Sequence, residues 1–158
     1  MKSSLRFRDL LSLAVFSKFK SSCFNCGKPL TYKVRGVKDY DLDHTLPAKY
    51  LWPLTTDNAT LLCSECNNAK HDKWPSEFYR PQQLKALARL AGFPFKLLSG
   101  PPLLNEATVQ AILANVDTFI ERWIAYPDEI KKVRQLILEM KGVDIHESAT
   151  TVPDFLKT

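Results

Sequence analysis

No stretch of this chain is apolar for long enough to cross a bilayer. The longest uncharged run, Ala107–Val116, falls far short of the ~20 residues a spanning helix needs. A secretion signal is missing as well: Arg6, Arg8 and Asp9 interrupt the short apolar run near the N-terminus, and Ser-Lys-Phe-Lys stands where a small-residue cleavage site belongs. Together with cysteines that suit a reducing compartment, this leads us to expect a cytoplasmic protein. Internal repeats are absent. Acid is scarce at the front of the chain, where residues 1–38 carry nine Lys/Arg against Asp9 alone, whereas residues 102–158 are net negative. The net charge of +5 is therefore concentrated in the first part, which suits a polyanionic partner. At 158 residues, 45% hydrophobic and 25% charged, the chain is globular and large enough for a core of its own.

What is present is concentrated between residues 23 and 71. Four cysteines form two Cys-x-x-Cys pairs, Cys23/Cys26 and Cys63/Cys66. Two such knuckles place four thiolates tetrahedrally around one zinc ion, closing its coordination and leaving no position for water. Two disulfides are the alternative. Between and behind the knuckles lie Asp43-His44, Asn58 and Asn67, the oxygen and imidazole inventory of a second site for a hard divalent cation such as Mg2+. Histidine is the side chain whose ordinary pKa suits general-base work near neutrality, which makes His44 the first candidate for activating water. Asp43 supplies an anionic oxygen. On a regular strand the two would face opposite ways, so the strand must end or twist at this pair. Asp39 and Asp41 read as solvated strand residues.

The motifs Cys-Phe-Asn-Cys, Asp-Leu-Asp-His-Thr-Leu-Pro and Asn-Ala-Thr-Leu-Leu-Cys-Ser-Glu-Cys-Asn-Asn-Ala-Lys-His, from Cys23 to about Lys70, resemble the HNH endonucleases, the ββα-metal or His-Me finger nucleases. The resemblance implies a metal-dependent nuclease acting on double-stranded DNA, with Asn58 pinning the loop that orients His44 and Asn67 as a metal ligand beside Asp43. It also implies a further ligand on the same helix face four residues on, at His71, with a phosphate contact or an exposed side chain as the alternatives. Asp43, His44, Asn58 and Asn67 then form the catalytic set, and Lys70 is either a phosphate contact or an exposed helix lysine. A stand-alone protein of this size resembles type II restriction endonucleases, with homodimerisation open. Phage or homing nucleases, and an inactive zinc-stabilised nucleic-acid-binding protein, are the alternatives.

The expected fold is α+β in one domain: a basic N-terminal helix within residues 1–21, a ββα-metal core over 22–79 and a helical region over 80–158. Leu5, Leu10, Leu11, Ala14 and Val15 predict a helix over residues 3–20. Thr31–Arg35 and Tyr40–His44 read as a hairpin around Gly36, Thr45–Asp57 as a long loop, and Asn58–Leu62 as a return segment leading into a helix. Pro81 opens a helix that Gly92 stops, and Gly-Pro-Pro at 100–102 breaks the chain. Asn105 then caps a helix whose stripe runs from Val109 through Ile112, Leu113, Val116 and Ile120 to Trp123. A last helix runs from Pro127 to Gly142, with Ile130, Val133, Leu136, Ile137 and Met140 facing inward.

Overall fold

The computed structural model describes residues 7–33 and 36–157. They group into two compact units, one ending at Leu103 and one beginning at Leu104. The fold is α+β: a small antiparallel sheet with helices around it.

In the first unit, α1 (Phe7–Lys18) buries Leu11, Val15 and Phe16, and Phe19 just after it is buried too. These recur at i, i+4 and i+8 with Phe16 beside them, so the inward face is centred on the aromatic residues. Leu10 and Ala14, expected in the stripe, therefore point outward. The expected helix start at residues 3–6 lies outside the described residues. Phe16 packs edge-on against Tyr40 at 4.6 Å between ring centroids, joining α1 to the sheet. The Lys18 ammonium donates to Thr56 O at 2.5 Å, so this side chain ties the helix to the loop before Asn58.

The strand β1 (Tyr40–His44) pairs with β2 (Ala59–Cys63), in a register that sets Asp43 opposite Thr60 and His44 opposite Ala59. The expected hairpin with Thr31–Arg35 is not formed: Thr31–Lys33 are not in a strand, and Val34 and Arg35 lie outside the described residues. The reason is burial. Every residue of β2 is buried, whereas Thr31 and Lys33 are exposed, so β1 gains far more apolar contact from the later segment. Residues 45–58 form the connecting loop, with one short 3-10 turn at Ala48–Tyr50.

The helix α2 (Ser64–Lys70) follows β2 without a break and packs on both strands. Trp74 is fully buried, and α3 (Pro75–Phe78) begins immediately after it. The next helices are α4 (Pro81–Ala91) and α5 (Phe95–Ser99). Gly92 ends α4 at φ 74°, the left-handed conformation that favours glycine at this position.

In the second unit, α6 (Glu106–Ala114) is capped by Asn105, whose Oδ1 accepts from Thr108 N at 2.9 Å. The helix expected to continue to Trp123 breaks at Asn115. There φ −153° and ψ 65° leave the helical region, and the Asn115 side chain caps a new helix, α7 (Val116–Trp123). Asparagine competes with the helix by bonding nearby backbone, which explains the restart. The last helix, α8 (Pro127–Lys141), buries Ile130 and Ile137. Trp123 and Met140, expected inward, stay exposed. Arg134 grips Asp144 through two bonds, Nε to Oδ1 at 2.8 Å and Nη2 to Oδ2 at 2.6 Å.

Among the described residues, no helix is long and apolar enough to cross a membrane.

Candidate active site and metal cluster

The four cysteines converge. The Sγ atoms of Cys23, Cys26, Cys63 and Cys66 all lie within 4.8 Å of one another, a set that could hold a metal ion such as zinc. The backbone builds this arrangement locally. Cys23 N donates to Lys28 O at 2.8 Å, and Gly27 N donates to Cys23 O at 2.8 Å with Gly27 at φ 76°. Phe24 N donates to Leu61 O at 2.9 Å, fastening the first knuckle to β2 beside the second. All four cysteines are free of disulfides.

The donor chemistry fits a thiophilic cation. Burial pushes the Cys66 thiol well up, and the neighbouring sulfurs push it further. At Cys23 burial also acts upward, but backbone donors from Cys26, Cys63 and Asn25 outweigh it and hold the thiol below its ordinary value. Four neighbouring thiolates repel one another unless a cation lies among them. Two residues with no cysteine or histidine signature extend the cluster outward. Asn25 Nδ2 donates to Cys66 Sγ at 3.3 Å. Gln83 Nε2, from α4, donates to Asn25 O and Oδ1, each at 3.2 Å. No spacing rule marks Asn25 or Gln83 in the sequence.

Asp43 and His44 are the last two residues of β1, where regular pairing ends. Asp43 is half-buried, and burial raises its carboxyl to about 6 against the opposing pull of Lys70, with Asp41 adding a further push upward. Asp41 lies two residues before Asp43 on the same face of β1. The His44 imidazole is held below its ordinary pKa, chiefly by burial and then by the Lys70 charge. It is accordingly neutral near pH 7 and able to accept a proton.

Asn58 is 2% exposed and bonded on every side. Its Oδ1 accepts from Leu46 N at 2.7 Å, and its Nδ2 donates to Leu46 O at 3.0 Å and Pro53 O at 2.9 Å. Its own backbone N donates to Thr55 Oγ1 at 3.1 Å, and its carbonyl accepts from Thr45 N at 2.9 Å. The amide thus spans the loop that begins one residue after His44.

Asn67 is half-buried on α2. Lys70, three residues on, lies along the same face, and its ammonium reaches Asp43 Oδ2 at 2.6 Å and donates to His44 O at 2.9 Å. The helix α2 thereby reaches Asp43 through Lys70. The buried Oδ2 therefore already has a cationic partner in Lys70. Lys70 itself has no exposure, unlike the expected phosphate contact or surface lysine. Its signal was the i, i+4 spacing from Cys66, which puts it on the inner side of α2.

His71 does not share that face. The helix ends at Lys70, and His71 adopts φ 51° and ψ −127°. Its imidazole is exposed and pairs with Asp72, Nδ1 to Oδ1, at 2.9 Å. Asp72 also meets Lys49 at 3.2 Å. The i+4 argument assumed one more helical residue than the chain provides.

No curated protein matches the chain. No solved structure matches it either. The segment that carries the thiol cluster, Asp43-His44, Asn58 and Asn67, residues 23–73, matches the family model described as HNH endonuclease.

Proposed function

We propose that this protein is a metal-dependent endonuclease that hydrolyses phosphodiester bonds in double-stranded DNA. The observation that carries the reading is the position of Asp43 and His44 at the end of β1 with the Lys70 side chain of α2 on both, Asn67 lying three residues before Lys70 on that helix. His44 accepts the proton of the attacking water, a task open to an imidazole that burial keeps neutral. Asp43 and Asn67 would hold a divalent cation such as Mg2+. When bound, that ion supplies positive charge to the phosphoryl group and the leaving oxygen. Asn58 fixes the loop after His44 and so keeps the imidazole from swinging away. The cysteine cluster, with zinc as its ion, fastens the first knuckle to β2 and the start of α2, and takes no part in the reaction.

Within this class we favour a type II restriction enzyme. The chain adds a helical unit from Leu104 onward, beyond what cleavage alone needs, and sequence selection or self-association is a natural task for it. A second reading, a nucleic-acid-binding protein without turnover, draws on the Lys70 ammonium already paired with Asp43.

Incubation of the purified protein with supercoiled plasmid and Mg2+ tests the choice. Nicked or linear DNA that disappears with chelator and in His44→Ala supports the enzyme. DNA binding without cleavage under a range of divalent ions supports the second reading.

A further inference from the structure

An ammonium with no exposure is costly to bury unless it is paired and hydrogen-bonded. Lys70 meets that condition through Asp43 Oδ2 and the His44 carbonyl. Both partners belong to the dipeptide on which the nuclease reading depends. We propose that Lys70 is a resident cation of this site, which takes one side of the Asp43 carboxylate and so limits how tightly the site holds a divalent ion. The inference rests on reading Asp43 as a ligand for such an ion, and does not require turnover.

Asp43 is the anionic member of the proposed donor set, and Asn67 is neutral. With Lys70 alongside, the three side chains carry no net charge. A divalent ion gains the attraction of one carboxylate and meets the repulsion of one ammonium, in a half-buried place where solvent screens little. Lys70 cannot move aside cheaply. Its side chain is enclosed, and its departure would strip the His44 carbonyl of its donor. The positive charge is therefore a fixture. The negative charge that the ion lacks is then supplied by the substrate, because a DNA phosphate at the site restores the balance. Ion and DNA bind together more tightly than either does alone.

The test is Mn2+ binding to the full chain with its cysteine site loaded with zinc, followed by electron paramagnetic resonance of the free ion at mildly alkaline pH. Wild type is compared with Lys70→Met, which keeps the length, and Lys70→Gln, which also keeps a donor for the His44 carbonyl. Both variants are expected to bind Mn2+ about tenfold more tightly or better, and to lose that gain when Asp43→Asn is added. Affinity that is unchanged or weaker, or a gain that survives Asp43→Asn, overturns the proposal. A crystal structure of the wild type soaked in Mn2+ decides the matter whether or not the variants fold. Mn2+ on the Asp43 carboxylate with the Lys70 ammonium still in contact supports it. A displaced Lys70, or a carboxylate without Mn2+, overturns it. A wild type that binds Mn2+ at Asp43 yet cuts no DNA refutes the nuclease reading alone and leaves this inference standing.

Discussion

Asn58 reads both main-chain groups of Leu46 at once, accepting from its N–H at 2.7 Å and donating to its C=O at 3.0 Å. Leu46 is fully buried, so no water replaces either bond. Asn58→Ala orphans both groups together with Pro53 O and is expected to cost about 2–4 kcal/mol of stability. Urea unfolding monitored by tryptophan fluorescence measures this. A loss below about 1 kcal/mol would mean that the loop holds itself.

His44→Ala is expected to leave DNA binding within about threefold of wild type while lowering turnover by ~10²-fold or more, since general-base help is lost only in the transition state. Gel-shift and single-turnover cleavage assays on one preparation separate the two quantities. Turnover close to wild type at saturating Mg2+ would remove His44 from the reaction.

Cys66→Ser takes one thiolate from the cluster and, with it, the group that Asn25 donates to. The variant should lose bound zinc and either unfold or melt well below the wild type, because binding energy in such sites is folding energy. Metal analysis and thermal melting report this directly. A folded, zinc-loaded Cys66→Ser protein would show that three thiols suffice.

Divalent-ion binding at Asp43 should depend on pH with a definite sign. Burial raises this carboxyl to about 6, so below that value a bound proton must be displaced before an ion can bind. Mn2+ affinity is therefore expected to be flat above about pH 7 and to fall roughly tenfold per unit in the acid range. Burial and then the Lys70 charge lower the pKa of His44, so its own charging sets in at more acid pH than for an ordinary imidazole. A flat affinity profile down to pH 5 would place the ion elsewhere.

His71→Ala should leave the midpoint of the metal titration unchanged, because the side chain is exposed and paired with Asp72. A shifted midpoint would show that His71 turns inward when metal is bound.

The knuckles could be read from the chain because their chemistry depends on residue type at short, fixed spacing. Asn58 was legible for a related reason: an amide with one acceptor and two donors suits a loop bridge. What failed was geometry over longer reach. The partner of β1 was decided by burial along β2, which no local pattern around Gly36 discloses. His71 falls one residue beyond the end of α2, where the backbone leaves the helix, and no spacing marks that end. Asn115 hid a helix break inside an apolar stripe that continues in phase across it. Lys70 looked like any surface lysine until the inner face of α2 was known. Gln83 lies 58 positions from Asn25, beyond any motif.

The family match stops at residue 73, and the next residue, Trp74, is fully enclosed, with its indole N–H on Leu97 O at 3.2 Å. A fragment trimmed to the matched span would keep all four thiols and both catalytic candidates. It would also lose the Trp74 indole from the core and the α4 amide that bonds to the first knuckle. The smallest transplantable piece is set by that tryptophan, and it runs to about Leu103.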